Sequence, residues 1–326
     1  LTIVYTAMHG VGGDLCCEVL RQAGFENVHP VPAQHQPDPD FPTVPFPNPE
    51  EPGALDLAYQ LADRVNADLI LANDPDADRL AVAIPTAHGW RQLTGDEVGQ
   101  LLGTQAAKAA ALTGRGQLAT SIVSSSMLEK IAAAHGVGYR ATLTGFKWIA
   151  RIEGLVFGYE EALGYCCDPE AVRDKDGIGA ALAIATLAAK LSTGGLTLGD
   201  ELDDYARRYG VHATNPLTIR VDDLRQITAV MQLLRNTPPT HLDGVEIIDV
   251  VDYSGGGHGL PPTNAIRFAT GDGLRVIVRP SGTEPKLKCY LEVVEPVRST
   301  LPAARERAQE RAARVREELA ALFARA

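Results

Sequence analysis

Three carboxylates stand at alternate positions in one short segment, at Asp74, Asp76 and Asp78, and Arg79 follows directly. Carboxylates this close repel one another unless a cation lies between them, so their spacing favours a site for a hard divalent ion such as Mg²⁺. The planar fork of donors on Arg79 suits a phosphate oxygen better than it suits the neutralisation of three acids. The segment therefore predicts a magnesium site beside a phosphate-binding arginine.

Three other interpretations compete with this one. A solvated acidic turn rich in Asp and Pro is common on protein surfaces. An EF-hand loop does not fit, because Arg79 stands where its turn glycine belongs and Pro85 stands where its bidentate glutamate belongs. A phosphatase of the haloacid dehalogenase type would use Asp74 as its nucleophile, although such enzymes usually have Thr or Val at the position of Asp78.

Apolar runs on both sides of the acidic segment indicate how it is held. Residues 67–73 are largely apolar and stop at Asp74, and a second apolar run covers residues 80–84. This pattern predicts a buried strand, a tight loop at its carboxyl end and a returning strand. In sheets whose strands alternate with helices, ligands bind at the carboxyl edge of the strands, which is where this loop falls.

The beginning of the chain predicts a strand over residues 1–6, a helix over residues 15–23 and a strand over residues 27–31. The glycine-rich turn of residues 7–14 offers backbone N–H groups that can meet an anion at the helix start. It is equally consistent with a tight turn that needs positive φ. His9 within it is a candidate acid-base residue, a ligand or a loop-packing residue.

The remaining pattern predicts two α/β layers and then a region of different texture with several strands and a long final helix. The other predicted helices cover residues 54–66, 94–112, 127–135, 179–191, 198–209, 222–235 and 303–325. The other predicted strands cover residues 118–123, 139–143, 155–159, 217–221, 245–251, 265–269, 274–278 and 287–294. The expected fold class is α/β, with mixed-sheet α/β domains over residues 1–93 and 94–210 and an α+β domain over residues 211–326.

The second domain carries charged side chains where a strand ends and where a helix begins. Glu160 and Glu161 follow the strand at residues 155–159, and paired carboxylates can accept hydrogen bonds from sugar hydroxyls. Lys175 precedes the helix at residues 179–191, where a lysine can serve in proton transfer. A surface Glu pair and an ordinary helix N-terminus with favourable acids are the plain interpretations of the same residues.

Two turns add candidate substrate contacts. Lys147, in the turn at residues 144–148, can contact a substrate or extend past the neighbouring tryptophan to solvent. The turn at residues 279–286 combines an arginine, hydroxyls and a glycine with nearby lysines, which is typical of a phosphate cradle, although a simple turn between strands is the alternative. Its candidate residues are Arg279, Ser281, Gly282 and Thr283.

Composition limits the partners of the chain. Over 326 residues the formal net charge is −11, which disfavours nucleic acid and anionic membranes as partners. The five cysteines form two adjacent pairs and a single residue without C-x-x-C spacing, so neither a disulfide framework nor a thiolate metal site is expected. A reducing cytoplasm is the expected location. No apolar run is long enough to span a bilayer.

Several stretches, in this order, resemble the α-D-phosphohexomutase superfamily, the phosphoglucomutase and phosphomannomutase enzymes. They cover residues 6–12, 74–79, 144–147, 159–165, 173–177 and 279–283. The family has four domains, and the chain is similar to the last three, which implies a TBP-like fold for the final α+β domain. The family's first domain carries a phosphoserine in a T-x-S-H-N-P-type loop. Such a loop is not found, because the serines at 121 and 124–126 lack the His-Asn-Pro context.

The resemblance implies a role for each candidate residue. Mg²⁺ is held by Asp74, Asp76 and Asp78, Arg79 contacts the phosphate that is transferred, and Lys175 is the general acid or base. Glu160 and Glu161 are implied to contact the sugar hydroxyls, and His9, Lys147 and Arg173 are implied to be pocket residues. The residues implied to hold the distal phosphate are Arg279, Ser281, Gly282 and Thr283.

The implied function is a phosphosugar mutase, which transfers phosphate between the 1 and 6 positions of a hexose phosphate through the phosphoserine. Its partner is a small phosphosugar, and a glucose 1,6-bisphosphate-type activator is expected for the intact enzyme. Ala162 stands where many hexose-specific members have Ser, so a phosphopentomutase or a glucose-bisphosphate synthase remains an alternative. A non-catalytic phosphosugar-binding module is a further one. Because the chain begins within a strand and without an initiator Met, we expect the phosphoserine domain to be missing and the chain alone to be inactive.

Overall fold

A computed structural model describes residues 1–221, 223–282 and 284–324. The chain divides into two compact units, Leu1–Leu202 and Asp203–Ala326. The first unit contains two mixed sheets with helices, and the second contains one larger sheet with helices. The predicted fold class, two α/β layers followed by an α+β region, is confirmed.

The first sheet has the strand order β2-β1-β3-β4-β5. Its strands are β1 (Thr2–Thr6), β2 (Asn27–Pro30), β3 (Leu69–Asn73), β4 (Leu80–Thr86) and β5 (Gly89–Gln92), and its helices are α1 (Gly13–Gln22) and α2 (Asp56–Val65). Strands β1, β2 and β3 are parallel, whereas β4 and β5 run antiparallel to their neighbours. All five residues of β3 and the first five of β4 are buried, as the two apolar runs predicted.

The second sheet has the strand order β7-β6-β8-β9. Its strands are β6 (Gln117–Ser121), β7 (Gly138–Thr142), β8 (Leu155–Glu160) and β9 (Gly164–Cys166), and the helices of this region are α3 (Gly95–Thr113), α4 (Met127–His135), α5 (Phe146–Ile149) and α6 (Gly177–Thr193). Only β9 is antiparallel to its neighbour. Helix α5 forms part of the segment that the sequence predicted to be a turn.

Helix α6 packs against strands of both sheets of the first unit, and α3 packs against α6 and the second sheet. Helix α3 begins with a capping box, in which Thr94 accepts a hydrogen bond from the N–H of Glu97 and the Glu97 side chain accepts one from the N–H of Thr94. Asp96 is buried and accepts hydrogen bonds from the Ser125 N–H and the Tyr159 hydroxyl. Helix α6 packs against α1 and α3 and against strands of both sheets, which fixes its N-terminus next to the β3–β4 loop.

The second unit is built on a seven-stranded sheet of order β10-β16-β15-β14-β13-β12, with β11 also paired to β16. Its strands are β10 (Val211–Thr214), β11 (Leu217–Arg220), β12 (His241–Leu242), β13 (Val245–Asp252), β14 (Ile266–Thr270), β15 (Leu274–Pro280) and β16 (Lys286–Glu295), and its helices are α7 (Leu198–Tyr209), which begins in the first unit, α8 (Leu224–Asn236) and α9 (Leu301–Phe323). One hydrophobic core joins α8 and α9 to the inner face of the sheet. All paired strands are antiparallel.

Two general features agree with the composition. The five cysteines are free thiols, four of them buried. Within the described residues, no single helix is long and apolar enough to cross a bilayer, and only α6 and α7 taken together as a bent pair meet that length and composition.

Candidate functional site

The three acids of the β3–β4 loop lie in one cluster. One carboxylate oxygen from each of Asp74, Asp76 and Asp78 lies within 4.8 Å of the other two. The Asp74 side chain is the most enclosed, at 13% exposure, whereas Asp78 is 30% exposed and Asp76 is exposed. Three convergent hard oxygen donors fit Mg²⁺, which keeps several water ligands when it binds to few carboxylates.

The electrostatics of the cluster favour a cation. Burial first, together with the charges of Asp76 and Asp78, raises the pKa of Asp74 to about 6. The Arg79 N–H, which donates to Oδ1 of Asp74 at 3.0 Å, and the Arg79 guanidinium act in the opposite direction. The three carboxylates therefore repel one another in the fold, and a bound cation relieves that repulsion.

Arg79 lies at the edge of the acidic cluster. Its Nε is 3.6 Å from Oδ2 of Asp74 and 3.8 Å from Oδ1 of Asp78, and its side chain is 36% exposed. These distances are those of loose ion pairs and longer than direct hydrogen bonds. A planar guanidinium in this position can contact both the acids and an anion bound next to them.

Lys175, from a distant part of the sequence, reaches the same cluster. Its Nζ is 2.6 Å from Oδ2 of Asp78 and 3.9 Å from Oδ1 of Asp174, and its side chain is 19% exposed. The aliphatic part of Lys175 passes over Gly164, where an added Cβ would lie 2.5 Å from Lys175 Cδ. Gly164 thus provides the space through which the ammonium group reaches Asp78.

Two glycines hold the acidic loop by close backbone contact. A Cβ on Gly10 would lie 2.3 Å from Cα of Pro75, and a Cβ on Gly177 would lie 2.3 Å from the Arg79 carbonyl oxygen. The Gly177 N–H also donates to the carbonyl of Ala77, which has a φ of +59°. The glycine-rich turn after β1 and the start of α6 therefore fix the loop from two directions.

Asn73, which was not predicted from the sequence, holds the acidic loop through a hydrogen bond of its side chain. It is fully buried at the end of β3. Its Oδ1 accepts a hydrogen bond from the Tyr5 hydroxyl at 2.9 Å, and its Nδ2 donates to the carbonyl oxygen of Arg79 at 2.6 Å. An amide at the end of an otherwise apolar strand was the only signal available in the sequence.

The two glutamates at the end of β8 have different partners. Glu160 accepts a hydrogen bond from the Gly145 N–H at 2.7 Å, and burial raises the pKa of its carboxyl group. Glu161 accepts hydrogen bonds through Oε2 from the hydroxyls of Ser121, at 3.1 Å, and Ser124, at 2.8 Å. The sequence analysis found only that these serines lack the context of a phosphoserine loop, and their hydrogen bonds to Glu161 were not predicted.

The glutamates and the acidic loop belong to one edge of the first unit. Arg79 pairs with Gly164 in an isolated bridge, and the Leu80 N–H donates to the Leu163 carbonyl at 3.0 Å. The charges of Lys175 and Arg79 also act on Glu160 and partly offset its raised pKa. The metal candidates, the candidate acid-base lysine and the candidate sugar contacts are therefore neighbours.

Three other predicted residues have side-chain contacts of their own. The His9 ring is buried, hydrogen bonds to Oγ1 of Thr43 at 2.8 Å and packs edge-on against Phe41. Lys147 is exposed, with Nζ 5.8 Å from the ring centre of Trp148. Arg173 is exposed and donates to the Ile152 carbonyl at 3.5 Å. Their assignment as pocket or catalytic residues stays a prediction.

The phosphate-cradle candidates lie in the second unit. Arg279 is near the end of β15, the Ser281 N–H donates to the Lys286 carbonyl at 2.8 Å, and Gly282 is exposed. Lys286 forms an ion pair with Glu284 at 2.6 Å. The fourth candidate, Thr283, lies outside the described residues.

The chain matches the sequence models of one protein family along most of its length. Residues 1–89, 94–209 and 217–322 match, in order, the α/β/α domain II, the α/β/α domain III and the C-terminal domain of phosphoglucomutase/phosphomannomutase.

Individual relatives agree with this match. The chain is 47% identical over 294 residues to a probable phosphomannomutase of Haemophilus influenzae, 37% identical over 327 residues to the phosphopentomutase of Homo sapiens and 33% identical over 315 residues to a phosphoglucomutase of Staphylococcus aureus. Each match covers 90% of the chain but only 60%, 53% and 57% of the relative, respectively. The chain thus spans little more than half the length of these relatives.

Solved structures share the fold. One is the exocytosis-sensitive phosphoprotein parafusin, a phosphoglucomutase of Paramecium, with a TM-score of 0.72, 22% identity and coverage of 97% of this chain and 57% of that one. Another is a phosphoglucomutase/phosphomannomutase family protein of Burkholderia thailandensis, with a TM-score of 0.68, 18% identity and coverage of 97% and 61%.

Proposed function

The chain belongs to the phosphoglucomutase/phosphomannomutase family, and on that premise we propose that it forms the metal-binding and sugar-binding part of a phosphosugar mutase. The proposed reaction moves a phosphoryl group between the 1 and 6 positions of a hexose phosphate. A phosphoserine outside residues 1–326 gives its phosphoryl group to the free hydroxyl of the substrate. The resulting bisphosphate reorients and returns its other phosphoryl group to the serine.

The observation that carries this proposal is the convergence of Asp74, Asp76 and Asp78 with the ammonium group of Lys175, whose Nζ is 2.6 Å from Oδ2 of Asp78. A site with three carboxylates and a lysine from another segment combines charge stabilisation with a proton-carrying group. Both are what phosphoryl transfer to a hydroxyl requires.

The three aspartates would hold Mg²⁺. When bound there, the ion would supply neutralisation of the charge on the phosphoryl group. Arg79 lies at the edge of the acids, within 4 Å of both Asp74 and Asp78. From there it would contact the oxygens of the same phosphoryl group. Its role is to position that group and to balance its charge.

Lys175 exchanges the proton of the reacting hydroxyl. In the first transfer the bond from phosphorus to the serine oxygen breaks, a bond from phosphorus to the sugar oxygen forms, and the sugar hydroxyl loses its proton. The neutral amine of Lys175 takes up that proton and passes it to the departing serine oxygen. In the second transfer the proton moves back by the same route, from the serine hydroxyl to the sugar oxygen that leaves. Asp78, its partner at 2.6 Å, orients the Lys175 side chain.

Glu160 and Glu161 accept hydrogen bonds from the sugar hydroxyls. Each carboxylate is fixed by partners within the fold, Glu160 by the Gly145 N–H and Glu161 by two serine hydroxyls. We assign the phosphate that is not transferred to the turn in the second unit, at Arg279, Ser281, Gly282 and Thr283. His9, Lys147 and Arg173 are assigned to the rim of the binding pocket.

A hexose phosphate is the first choice of substrate and a pentose phosphate is the second. Ala162 follows the two glutamates and offers no hydroxyl to the sugar. Loss of one hydrogen bond costs about 1 kcal/mol, which biases the choice of sugar without deciding it.

The test is conversion of glucose, mannose and ribose 1-phosphates by the product of the full reading frame that encodes the chain. The assay contains Mg²⁺ and a trace of glucose 1,6-bisphosphate. We expect Mg²⁺-dependent conversion of at least one of the three, and the ratio of rates reports the sugar preference. Absence of conversion with all three would leave a phosphosugar-binding module as the better interpretation.

A further inference from the structure

One side-chain amide joins the two ends of the acidic loop. The loop covers residues 74–79, and Asn73 lies directly before it. Nδ2 of Asn73 donates a hydrogen bond to the carbonyl oxygen of Arg79 at 2.6 Å. Because Asp74 follows Asn73 and Asp78 precedes Arg79, this hydrogen bond fixes the separation of the chain segments that carry two of the three acids.

The hydroxyl of Tyr5 fixes the orientation of that amide. A backbone carbonyl can only accept a hydrogen bond, so Nδ2 of Asn73 must face Arg79 and Oδ1 must face away from it. The Tyr5 hydroxyl, on the neighbouring strand β1, donates to this Oδ1 at 2.9 Å. Tyr5 and Asn73 are both fully buried. A hydrogen bond lost here is therefore not replaced by one to bulk water.

The packing around the pair of Tyr5 and Asn73 leaves little free space. A Cβ on Gly12 would lie 3.2 Å from the Tyr5 hydroxyl oxygen and 2.7 Å from Cβ of Ala77. A Cβ on Gly177 would lie 2.6 Å from Nδ2 of Asn73. The glycine-rich turn after β1 and the start of α6 thus enclose the pair next to the loop. Because packed interiors transmit displacements, a shift of the pair moves the loop.

Neither residue of the pair is a candidate metal ligand, because both ends of the Asn73 amide and the Tyr5 hydroxyl have partners within the fold. The acids themselves do have a free ligand atom. Among the described residues, Oδ1 of Asp78 is buried without a hydrogen-bond partner, and Nε of Arg79, at 3.8 Å, is too distant to donate one. A cation within the cluster supplies the missing partner. The pair can therefore affect a bound cation only through the positions of the acids.

Two hard cations respond differently when such acids move. Mg²⁺ requires nearly octahedral geometry with oxygen ligands at about 2.1 Å, whereas Ca²⁺ accepts irregular arrangements at roughly 2.3–2.6 Å. A loop whose ends are held at a fixed separation can meet the stricter requirement. A loop whose ends can move apart still suits the larger and more tolerant ion.

We propose that Tyr5 and Asn73 are positioning residues that make the acidic loop select Mg²⁺ over Ca²⁺. They hold the chain on both sides of the acids at the separation that the smaller cation requires. This inference rests on the proposed function and deepens it, because it assigns the cation preference of the site to two residues that touch neither the cation nor the substrate.

The test measures binding of Mg²⁺ and of Ca²⁺ to the chain of residues 1–326 by calorimetry, with thermal unfolding in the absence of metal in parallel. Tyr5→Phe removes only the hydroxyl, and Asn73→Ala removes the amide that joins the ends of the loop. The matched control is Tyr139→Phe, which removes a hydroxyl that is hydrogen-bonded to Oγ1 of Thr120 at 2.7 Å in the second sheet.

We expect Tyr5→Phe to weaken Mg²⁺ binding about fivefold, as for the loss of one hydrogen bond, and Ca²⁺ binding by less than about twofold. Asn73→Ala weakens Mg²⁺ binding by about tenfold or more, because the link between the loop ends is lost. It also affects Ca²⁺ less than Mg²⁺. Tyr139→Phe lowers the Tm and leaves both affinities at the wild-type values.

A loss of Mg²⁺ affinity in Tyr5→Phe that is no greater than its loss of Ca²⁺ affinity would overturn this inference, and a lowered Tm with that result would show a purely structural pair. Equal affinity of the wild-type chain for the two cations would overturn it as well. Since Tyr5→Phe removes a single oxygen atom, that variant decides the question even where Asn73→Ala does not fold.

The same experiment separates this inference from the proposed function. Mg²⁺-dependent mutase turnover of the full-length protein, alongside unchanged selectivity in Tyr5→Phe, leaves the proposed function standing without the role of the pair. Selective loss of Mg²⁺ binding in both variants, without any mutase turnover of the full-length wild type, would instead remove the proposed function and keep the role of the pair.

Discussion

The ammonium nitrogen of Lys175 lies 2.6 Å from Oδ2 of Asp78, one of three acids that converge on a single point. The lysine precedes helix α6 and the aspartate lies in the β3–β4 loop, and α6 packs against the same strands that carry the loop. The fold therefore brings the candidate acid-base lysine next to the candidate metal cluster, although the two are far apart in sequence.

A comparison of substitutions at Asp78 and Lys175 distinguishes an effect on metal binding from an effect on proton transfer. Asp78→Asn removes one of the proposed metal ligands and the partner of Lys175, so we expect weaker Mg²⁺ binding and slower turnover. Lys175→Met leaves the three carboxylates intact, so Mg²⁺ binding persists while turnover falls by roughly 10²- to 10⁴-fold. Calorimetry with Mg²⁺ and steady-state turnover of the full-length protein measure the two effects. Lys108→Met, at a lysine paired with Glu201, is the charge-matched control, and full turnover in Lys175→Met would refute the role of this lysine.

Gly164 tests whether the path of the lysine side chain matters. A methyl group at Gly164 would lie 2.5 Å from Cδ of Lys175, so Gly164→Ala must displace that side chain. We expect turnover to fall about tenfold or more through misplacement of the ammonium group, with little change in Tm because the lysine can move. The control is Gly194→Ala at the end of α6, where the nearest atom to an added Cβ is 3.5 Å away. Equal turnover in the two variants would count against this geometry.

The serine contacts of Glu161 predict an effect on substrate affinity. Ser124→Ala removes a 2.8 Å hydrogen bond to Oε2 of Glu161 and leaves that carboxylate less well oriented. The expected cost is about 1 kcal/mol, or roughly a fivefold rise in KM for the sugar phosphate, with kcat changed less. Ser192→Ala, at an exposed serine bonded within its own helix, is the control. A KM unchanged by both Ser124→Ala and Glu161→Gln would remove Glu161 from the binding site.

Asp243 predicts a pH-dependent stability of the second unit. Its carboxylate accepts a hydrogen bond from Nε of Arg314 at 2.8 Å and lies 3.3 Å from Nε of Arg311, and the bond from Arg314 is the main cause of its lowered pKa. A carboxyl whose pKa is lower in the folded state stabilises the protein above its unfolded pKa of about 3.9, and that stability is lost as the pH falls through the folded value.

We therefore expect Asp243→Asn to lower the free energy of unfolding by on the order of 1 kcal/mol at neutral pH. The difference from the wild type should shrink as the pH falls, because the wild-type carboxyl is then protonated. Asn tolerates the positive φ of 49° at this position, so the backbone is not the cause. Urea unfolding from pH 7 downward measures the difference, and Asp204→Asn, at an exposed pair with Arg208, is the control. If the free energy of unfolding of Asp243→Asn were lower than that of the wild type by the same amount at every pH, the ion pairs of Asp243 would not be the cause.

Local signals in the sequence predicted most of the fold. The periodic apolar residues of α4 and α7 predicted these helices to the residue, and the helix predicted over residues 94–112 differs from α3 by one residue at each end. Strands β5, β9, β10 and β12 were missed, because each has only two to four residues and no alternating pattern of its own. Such short strands are stabilised by neighbours that pair with them.

The acidic loop was predictable as a cluster because its carboxylates are close in sequence. The contacts of Lys175 with Asp78, of Asn73 with Tyr5 and of Glu161 with Ser124 join residues from different elements. No spacing rule links them, so only the packing of α6 and the two sheets reveals them. The buried ring of His9, paired with Thr43, is a further contact that the sequence did not indicate.

We propose that residues 1–326 accept and orient a phosphosugar while a serine elsewhere carries the phosphoryl group. Mass-spectrometric mapping of the full-length protein after incubation with glucose 1,6-bisphosphate and Mg²⁺ tests it most directly, with residues 1–326 alone in parallel. We expect a phosphoserine outside residues 1–326, and neither label nor turnover in the isolated chain. A phosphate on Asp74 would contradict the proposed mutase mechanism and favour a phosphatase. A phosphate on Ser121 or Ser124, with turnover by the isolated chain, would also contradict it, because the nucleophile would then lie within residues 1–326.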